Sequence, residues 1–300
     1  CIACNEGCYK RILGQLAICC SVNPMLGREA DPAAPKAGPA KRVVVVGAGP
    51  AGMEAAGRAR ERGHDVTLIE KGAHLGGQLL LAAVPPGRKD IERFTDYLAG
   101  GLTRSGVKVI LNEEVSPSVI RRLQPDAVII ATGAQPCKLA VPGLPAEQGV
   151  TAWDVLSGKP MASGPYLIVG AGLVGCETAD LLSDRGEKVT VVEILPEIAC
   201  DADKDTKAYF DIRFQNKMVK IYTGANLVRM EDRLVIIHQG LEDIPIEAGT
   251  VVFSVGAKPD DSLYEQLTSA GIEVIKAGDC VKPRRIMDSV EEGFLAGNRV

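Results

Sequence analysis

The sequence predicts an α/β protein that contains two nucleotide-binding domains, and three observations support this fold class. The pattern G-x-G-x-x-G occurs twice, first at Gly47 and again 123 residues later at Gly170. Each copy follows a short apolar run rich in β-branched residues and precedes an alanine-containing stretch of helical character. The chain of 300 residues, 46% hydrophobic with 33 glycines, is long enough for two cores. We therefore expect two Rossmann-like dinucleotide-binding domains, one inserted in the other, preceded by a short cysteine-rich segment.

The first element, residues 1–28, is the cysteine-rich segment. Five of the nine cysteines fall within the first 20 residues, at Cys1, Cys4, Cys8, Cys19 and Cys20. A disulfide framework is typical of small secreted domains, whereas a metal or an iron–sulfur cluster suits a nucleotide-binding chain in a reducing cytosol. Four thiolates can hold either zinc or a cluster, and the spacing C-x2-C-x3-C-x11-C is not that of bacterial ferredoxins. The residues alone leave both alternatives open.

Residues 29–40 are rich in proline and alanine and predict a linker. The first dinucleotide-binding domain is expected to begin at residue 41, with a strand at 43–46, a helix to about Arg62 and a second strand that ends at Glu70. The first glycine of the motif permits a tight turn, the second lets backbone approach a pyrophosphate, and the third lets helix and strand pack closely. Glu70 is expected to accept hydrogen bonds from an adenosine ribose.

The rest of this domain is predicted to contain a loop at 71–87, a helix at about 89–105 and strands at 107–112 and 127–132. The last of these strands ends in Ala131-Thr132-Gly133, where small residues let a cofactor lie close to the backbone. Because residues 157–165 are rich in glycine, proline and serine, we expect the chain to leave this domain near residue 160. The first part of the domain therefore has the expected bounds 41–160.

The inserted domain is expected at 161–257 and carries the second glycine motif. A strand at 167–169 precedes it, and a second strand ends at Glu193, again 23 residues after the first glycine. A carboxylate there repels a 2′-phosphate, and Ile194 and Leu195 follow it instead of an arginine, which favours NADH over NADPH. A charged helix at 201–216 and short strands at 219–222, 227–230, 233–238 and 251–254 complete the domain, and Gly256 marks the return crossing.

Residues 258–300 are expected to complete the first domain with a strand from about 273, the pair Gly278-Asp279 and a helix from about Arg284. That helix would direct its positive end at a cofactor. No clear cap ends it at Val300, and the chain opens on Cys1 in the middle of a motif, so we expect a fragment of a longer protein.

Composition excludes several functions. The formal charge of −4 gives no reason to expect nucleic acid, and no run of about 18 apolar residues predicts a membrane span. With no signal peptide visible, a cytoplasmic location is expected. The three histidines, at 64, 74 and 238, form no triad or metal spacing and are expected in loops or at the surface. The later cysteines Cys137, Cys176, Cys200 and Cys280 form no C-x-x-C pair, so the dithiol chemistry of thioredoxin reductase is not expected.

The N-terminal cysteines also carry a resemblance to a known family. The run from Cys1 to Cys8, followed by Cys20-Ser-Val-Asn-Pro, resembles the cluster-binding segment of a flavoenzyme family in the old yellow enzyme group. That family comprises 2,4-dienoyl-CoA reductase, 2-enoate reductase and trimethylamine dehydrogenase. The resemblance extends over the whole chain, because residues 75–78, 131–133 and 277–280 resemble the family's remaining flavin-binding elements.

The resemblance implies a set of cofactors and the residues that hold them. It implies a [4Fe–4S] cluster on Cys1, Cys4, Cys8 and Cys20. It implies FAD on the first domain, at Gly47, Gly49, Pro50, Ala51, Gly52, Glu70, Lys71, Gly77, Gln78, Ala131, Thr132, Gly133, Gly278 and Asp279. The second domain lacks these additional elements and is assigned NADH, at Gly170, Gly172, Leu173, Val174, Gly175, Glu193 and Gly256.

In this family a barrel that carries FMN and the substrate site precedes the cluster. The resemblance therefore implies a module that passes electrons from NADH through FAD to the cluster, and on to FMN in the barrel, which would reduce an activated C=C bond. Glu177, in the helix after the third glycine of the second motif, is the candidate catalytic residue near the nicotinamide. The alternative interpretation, which the sequence supports equally, is that Glu177 faces solvent from the surface of the helix.

Two other hypotheses remain. The first site could hold ADP as a structural nucleotide, as the trimethylamine dehydrogenase branch suggests, which would make the module a scaffold without NADH oxidation. The module could also be an electron donor to a separate partner, like the small subunit of glutamate synthase, although the cysteine framework resembles the dienoyl-CoA reductase pattern.

Overall fold

The structure is a computed structural model that describes residues 1–30, 38–270, 272 and 274–300. Its strands are β1 (Arg42–Val46), β2 (Asp65–Ile69), β3 (Lys108–Ile110), β4 (Ala127–Ile130), β5 (Ala134–Pro136), β6 (Gly149–Thr151), β7 (Tyr166–Val169), β8 (Val189–Glu193), β9 (Lys220–Thr223), β10 (Ala225–Glu231), β11 (Leu234–Gln239), β12 (Glu242–Glu247), β13 (Thr250–Phe253), β14 (Ala257–Pro259) and β15 (Val274–Lys276).

The helices are α1 (Tyr9–Leu13), α2 (Pro50–Glu61), α3 (Leu79–Ala82), α4 (Asp90–Ser105), α5 (Pro117–Leu123), α6 (Ala152–Leu156), α7 (Leu173–Asp184), α8 (Lys204–Asn216), α9 (Ser262–Ser269) and α10 (Ile286–Arg299), with a short 3-10 turn at Gly278–Cys280. Of the predicted linker, residues 31–37 lie outside the described residues.

The chain divides into two compact units. Unit 1 contains residues 1–83, 88–135 and 258–300, and unit 2 contains residues 84–87 and 136–257. The sequence places the crossing near residue 160, whereas the structure places it at 135–136. The reason is that β6, at 149–151, pairs in parallel with β13 and so belongs to the sheet of unit 2. The glycine- and proline-rich stretch at 157–165 is a loop within unit 2, between α6 and β7.

Unit 1 is built on a five-stranded parallel sheet in the order β15-β4-β1-β2-β3. Alternate residues of β1 enter two cores, because Val43 and Val45 pack on one face of the sheet, whereas Val44 and Val46 pack on the other. A strand covered on both faces is expected to be a continuous apolar run, as this strand is. Helices α2, α4 and α10 contribute to the first core, and α5 and α9 contribute to the second.

Unit 2 repeats this topology. Its parallel sheet has the order β6-β13-β7-β8-β9, so that β7 occupies the central position that β1 has in unit 1. One face packs against α7 and α8, where Phe210 and Phe214 are buried. The other face packs against a three-stranded antiparallel sheet, β10-β11-β12. The two Rossmann-like units and the insertion of one in the other confirm the predicted fold class.

Two further findings concern the fold. His64 lies in the loop between α2 and β2, as one of its two expected alternatives requires, but it is not at the surface, because it is 0% exposed and its Nδ1 accepts a hydrogen bond from the Lys41 N–H at 3.1 Å. Within the part of the chain that the structure describes, none of the helices combines the length and the apolar character that crossing a bilayer requires.

Candidate functional site

The first glycine motif forms a tight cradle between β1 and α2. Gly47 has a φ of +99°, and a Cβ on it would lie 2.3 Å from the carbonyl oxygen of Ala131. A Cβ on Gly52 would lie 1.9 Å from the carbonyl oxygen of Gly47. Only glycine fits at either position, so the first turn of α2 lies directly against the end of β1. The unpaired N–H groups of that turn and the positive end of the helix dipole form an anion site there.

The loop at 75–78 packs against this cradle. The Gly76 N–H donates to the carbonyl of Ala48 at 2.8 Å. A Cβ on Gly77, whose φ is +53°, would lie 2.9 Å from the Cα of Gly49. The structure therefore brings the predicted residues of the loop and of the motif into direct contact.

Asp279 lies at the centre of a second group of predicted residues in unit 1. Its carboxylate accepts hydrogen bonds from Gln78 Nε2 at 3.0 Å, from the Arg284 N–H at 3.1 Å and from Ser289 Oγ at 3.3 Å. Burial raises the pKa of Asp279, and these three donors partly oppose that rise. Gly278, with a φ of +79°, approaches the first motif so closely that a Cβ on it would lie 2.7 Å from Ala51 Cβ.

Glu70 closes the cradle at the end of β2. Its Oε2 accepts the Ala48 N–H at 2.8 Å and its Oε1 accepts the Gly72 N–H at 2.7 Å. Each carboxylate oxygen has a second lone pair, so Glu70 can also accept hydrogen bonds from a ligand hydroxyl. A cavity of about 340 Å³ opens beside it, lined by Val46, Gly47, Ile69, Glu70, Lys71, Glu113, Glu114, Val115, Ser116, Thr132, Asp260, Ser262, Leu263 and Gln266.

The second motif repeats the geometry of the first in unit 2. A Cβ on Gly170, whose φ is +95°, would lie 2.4 Å from the carbonyl oxygen of Ser254. A Cβ on Gly175 would lie 2.0 Å from the carbonyl oxygen of Gly170. In unit 2 the first turn of α7 therefore lies directly against the end of β7, just as the first turn of α2 lies against the end of β1 in unit 1.

Glu193 also repeats the role of Glu70. Its Oε2 accepts the Ala171 N–H and its Oε1 accepts the Leu195 N–H at 2.8 Å. In both units the carboxylate accepts the N–H of the residue between the first two glycines and the N–H two residues after itself. Glu193 is only 6% exposed. A buried carboxylate at the end of the second strand is suited to bind ribose hydroxyls and to exclude a phosphate.

The remaining predicted residues of unit 2 lie on or beside α7. Leu173 is the first residue of the helix, Val174 is exposed, and Glu177 is partly buried one turn further along. Gly256 has a φ of +91°, and a Cβ on it would meet no heavy atom within 4 Å among the described residues. Burial raises the pKa of the neighbouring Cys176 thiol to about 12, and the thiol donates to the Ala171 carbonyl at 3.3 Å.

The N-terminal segment folds back on itself and packs on unit 1. The Cys19 N–H donates to the Gly7 carbonyl at 2.8 Å, and Cys4 Sγ lies 3.1 Å from Ser21 Oγ. Ile2 is buried in the core of unit 1, and Cys4 packs against the same core. These contacts bring the backbone around Cys4 and around Cys8 close to the turn that contains Cys20.

Two of the four predicted ligands accept backbone hydrogen bonds. The Ala3 N–H donates to Cys1 Sγ and the Val22 N–H donates to Cys20 Sγ, both at 3.4 Å. Such N–H···S contacts stabilise thiolate sulfur and are one of the means by which proteins tune clusters. The side chains themselves do not converge, because residues 1–30, 38–270, 272 and 274–300 contain no group of three His, Cys, Asp or Glu side chains that could hold a metal ion.

Several residues that line the cavity of unit 1 were not predicted from the sequence. Residues 113–116 follow β3, and residues 260–266 comprise the end of the loop before α9 and the first part of that helix. A signal for the first group was present, since ligands in open parallel sheets bind outside the carboxyl ends of the strands. No sequence pattern indicated that Asp260 lies at the cavity. Its position depends on a contact with a residue distant in sequence, because its carbonyl accepts a hydrogen bond from the Thr132 hydroxyl.

Comparison with known proteins gives a family match over most of the chain. The family model described as pyridine nucleotide-disulphide oxidoreductase matches residues 41–298. A curated relative, an NADH oxidase from Thermoanaerobacter brockii, is 40% identical over 303 residues, which cover 98% of this chain and 46% of the relative. A cinnamate reductase from Clostridium sporogenes is 33% identical and is matched over 100% of this chain and 45% of its own length.

A solved structure of 2-naphthoyl-CoA reductase superposes with a TM-score of 0.95 at 31% identity, and the match covers 100% of this chain and 46% of that one. The chain thus spans about half the length of the relatives that it matches.

Proposed function

The chain belongs to the pyridine nucleotide-disulphide oxidoreductase family, and we propose that its first glycine cradle holds FAD and its second holds NADH. The resemblance to the dienoyl-CoA reductase and enoate reductase family is confirmed by the reductases among its relatives. The chain is a flavin-dependent NADH oxidoreductase module. The assignment of each cofactor to its residues is our proposal.

The duplicated cradle is the observation that carries the proposal. Each unit combines two glycines that admit no Cβ with a glutamate at the end of the second strand. Two sites of this kind in one chain favour two dinucleotides over one, since each cradle can hold a single pyrophosphate at its helix N-terminus.

The additional groups of unit 1 favour FAD at the first cradle. Asp279 and Gln78 form a hydrogen-bonded pair beside the motif, and Asp279 can accept a hydrogen bond from a ribityl hydroxyl. The cavity beside Glu70 has a volume suited to the adenosine end of the cofactor. We propose that Thr132 and Gly133 line the flavin, while Lys71, which is exposed, lies near the ribose.

Unit 2 is assigned NADH because Glu193 accepts two backbone N–H groups and is followed by Ile194 and Leu195, so no cation is adjacent in sequence to pair with a 2′-phosphate. FAD, when bound, supplies the chemistry by accepting a hydride from the nicotinamide and releasing its electrons singly. The protein residues hold the two dinucleotides by their pyrophosphates and riboses. We propose that Glu177, which is partly buried, lies near the nicotinamide.

The test is to identify the bound nucleotide and then to measure turnover. Denaturing the purified chain should release FAD, and NADH should reduce an artificial acceptor such as ferricyanide faster than NADPH does. A colourless chain that releases only ADP would contradict the reductase function and would favour a structural nucleotide at the first site. Turnover with NADPH equal to that with NADH would contradict the role of Glu193.

We propose in addition that Cys1, Cys4, Cys8 and Cys20 hold a [4Fe–4S] cluster, whose chemistry is the transfer of one electron at a time. The four thiols are the required donors, and the two N–H···S contacts support the proposal. The side chains would have to converge on the cluster, because the described residues do not form a metal-binding group.

The cluster proposal has a matched control within the chain. Cys20→Ser should remove most of the iron and acid-labile sulfide after anaerobic reconstitution, whereas Cys19→Ser should retain both. Cys19 Sγ contacts Met287 Sδ at 3.3 Å and is not a proposed ligand. Equal iron contents in the two variants, or iron that binds without sulfide, would contradict the cluster.

We propose finally that the electrons pass to an FMN-containing barrel in the full-length protein, where an activated C=C bond is reduced. The names of the cinnamate and 2-naphthoyl-CoA reductases support this reaction type. Ile12, Leu13 and Leu16 beside the cysteines are 57% to 68% exposed, as expected for a surface that another domain covers. Slower hydrogen exchange at residues 9–18 in the longer protein would support this contact, and unchanged exchange would contradict it.

A further inference from the structure

The start of α7 in unit 2 carries a carboxylate at the position that a dinucleotide pyrophosphate requires. The N–H of Leu173, the first residue of the helix, donates to Asp201 Oδ1 at 2.9 Å. Both carboxylate oxygens lie 3.6 Å from the point that a Cβ on Gly172 would occupy. The carboxylate thus lies over the second glycine of the motif, which is where backbone and pyrophosphate approach each other.

This placement is fixed by the loop that carries Asp201. The Ala199 N–H donates to the carbonyl of Ala171 at 2.7 Å, and Ile198 and Ala199 are buried in the core of unit 2. Because Ala171 lies between the first two glycines of the motif, the loop is attached to the motif itself. Asp201, two residues beyond this attachment, remains exposed to solvent.

Unit 1 has the same loop with a neutral residue. The Gly76 N–H donates to the carbonyl of Ala48, and this contact is the equivalent of Ala199 to Ala171, since both pairs are 28 residues apart. Two residues beyond Gly76 comes Gln78, which therefore corresponds to Asp201. Gln78 donates to Asp279. In addition α2 begins at Pro50, which has no N–H, and a Cβ on Gly49 would meet no heavy atom within 4 Å among the described residues.

The two cradles thus differ in charge at one equivalent position. An anion at a helix N-terminus is stabilised by the unpaired N–H groups and by the helix dipole. The Asp201 carboxylate and a pyrophosphate would compete for the same N–H and would repel each other. We propose that Asp201 is an internal competitor that holds the dinucleotide site of unit 2 in the free protein and must be displaced when NADH binds.

This inference rests on the proposed NADH site of unit 2, and it adds that Asp201 lowers the affinity of that site for the dinucleotide. A ligand that must displace a bound group binds more weakly by the free energy of that group's contacts. The nicotinamide dinucleotide is a substrate that must leave after each turnover, whereas FAD stays bound. The competitor is present in the cradle of the substrate and is replaced by glutamine in the cradle of the resident cofactor, and a weaker grip on the substrate favours its rapid exchange.

The experiment is calorimetric titration of the full, FAD-saturated chain with NAD⁺, which cannot reduce the flavin. Asp201→Asn keeps the size of the side chain and removes its charge. It should bind NAD⁺ about 2- to 5-fold more tightly, which corresponds to the loss of a negative charge at a helix N-terminus while the side-chain oxygen that caps the helix is kept. ADP-ribose should show the same gain, whereas adenosine, which has no phosphate, should bind the variant and the natural protein equally.

Asp205→Asn is the matched control. It removes the same charge four residues further along, at an exposed position in the first turn of α8, and should leave the affinity for NAD⁺ unchanged. An unchanged or weaker affinity for NAD⁺ in Asp201→Asn would overturn the inference without contradicting the proposal that unit 2 binds NADH. An equal gain in Asp205→Asn, or an equal gain for adenosine, would also overturn it. Absence of NAD⁺ binding in every protein would instead overturn the proposed function of unit 2, and the inference with it.

Discussion

Replacing glycine by alanine should have opposite effects on the free energy of unfolding at two positions of helix α2. Gly52 lies in the first turn of α2, and Gly57 lies five residues later, near the middle of the same helix. A Cβ on Gly52 would lie 1.9 Å from the carbonyl oxygen of Gly47, whereas a Cβ on Gly57 would meet no heavy atom within 4 Å among the described residues. Gly52→Ala and Gly57→Ala therefore add the same methyl group to a closed and to an open environment.

The magnitudes follow from these distances. Real Cβ atoms essentially never lie within 3.0 Å of another heavy atom, so Gly52→Ala requires α2 to move by at least about 1 Å away from the end of β1. Overpacking of this kind lowers the free energy of unfolding by about 1–3 kcal/mol, and the upper end is expected because the opposing atom belongs to the backbone. Gly57→Ala should instead raise the free energy of unfolding by about 0.5–1 kcal/mol, since alanine is the better helix former.

The assay combines urea unfolding of the full chain with the flavin content after gel filtration. Gly52→Ala should lose most of its FAD, because the displaced helix no longer presents its N–H groups to the pyrophosphate, whereas Gly57→Ala should retain all of it. The equivalent change in unit 2, Gly175→Ala, should abolish NAD⁺ binding and leave the flavin content unchanged. Full retention of FAD by Gly52→Ala, with unaltered unfolding, would refute the role of the closed cradle.

Three other predictions follow from burial and charge. Burial raises the pKa of Glu54 from 4.5 to about 7; the folded chain then binds more protons than the unfolded chain between these values, and its free energy of unfolding falls as the pH rises through that window. Glu54→Gln should therefore raise the free energy of unfolding by about 1–3 kcal/mol above pH 7 and hardly at all below pH 4.5, and an equal gain at both pH values would contradict this. Glu193→Gln should reduce the preference for NADH over NADPH by about tenfold, measured as the ratio of kcat/KM values, and an unaltered ratio would contradict the selection by charge. The buried thiols of Cys176 and Cys280 should resist an aromatic disulfide reagent in the folded protein, whereas the exposed Cys200 should react at once; rapid labelling of either buried thiol, located by mass spectrometry, would contradict their burial.

The sequence predicted the two central strands and both cradles because these depend on local chemistry. Gly52 is required by its contact with Gly47, five residues earlier, and the apolar run of β1 reflects burial on both faces of one sheet. The contact between Gly278 and Ala51 joins residues far apart in the chain, and only the family resemblance, which assigned both residues to FAD, implied that they lie close together.

Other features could not be predicted from local patterns. The strand β12 contains Pro245, which argues against a strand, but β12 pairs with β11 alone, and an edge strand tolerates proline. The proline-rich loop at 157–165 resembled a domain boundary, although the crossing is set by the pairing of β6 with β13. The position of Asp201 could have been read from the repeat, because it aligns with Gln78 at the same spacing as the glycines.

The most direct test of the account is an anaerobic titration of the purified, FAD-loaded chain with NADH, monitored by the visible absorbance of the flavin. If the two cradles hold FAD and NADH as proposed, a single equivalent of NADH per flavin should remove that absorbance in protein freed of iron, because a cluster would take up one further electron, and admission of air should restore it. An absorbance that persists in the presence of excess NADH, in a chain shown to contain FAD, would contradict the central claim.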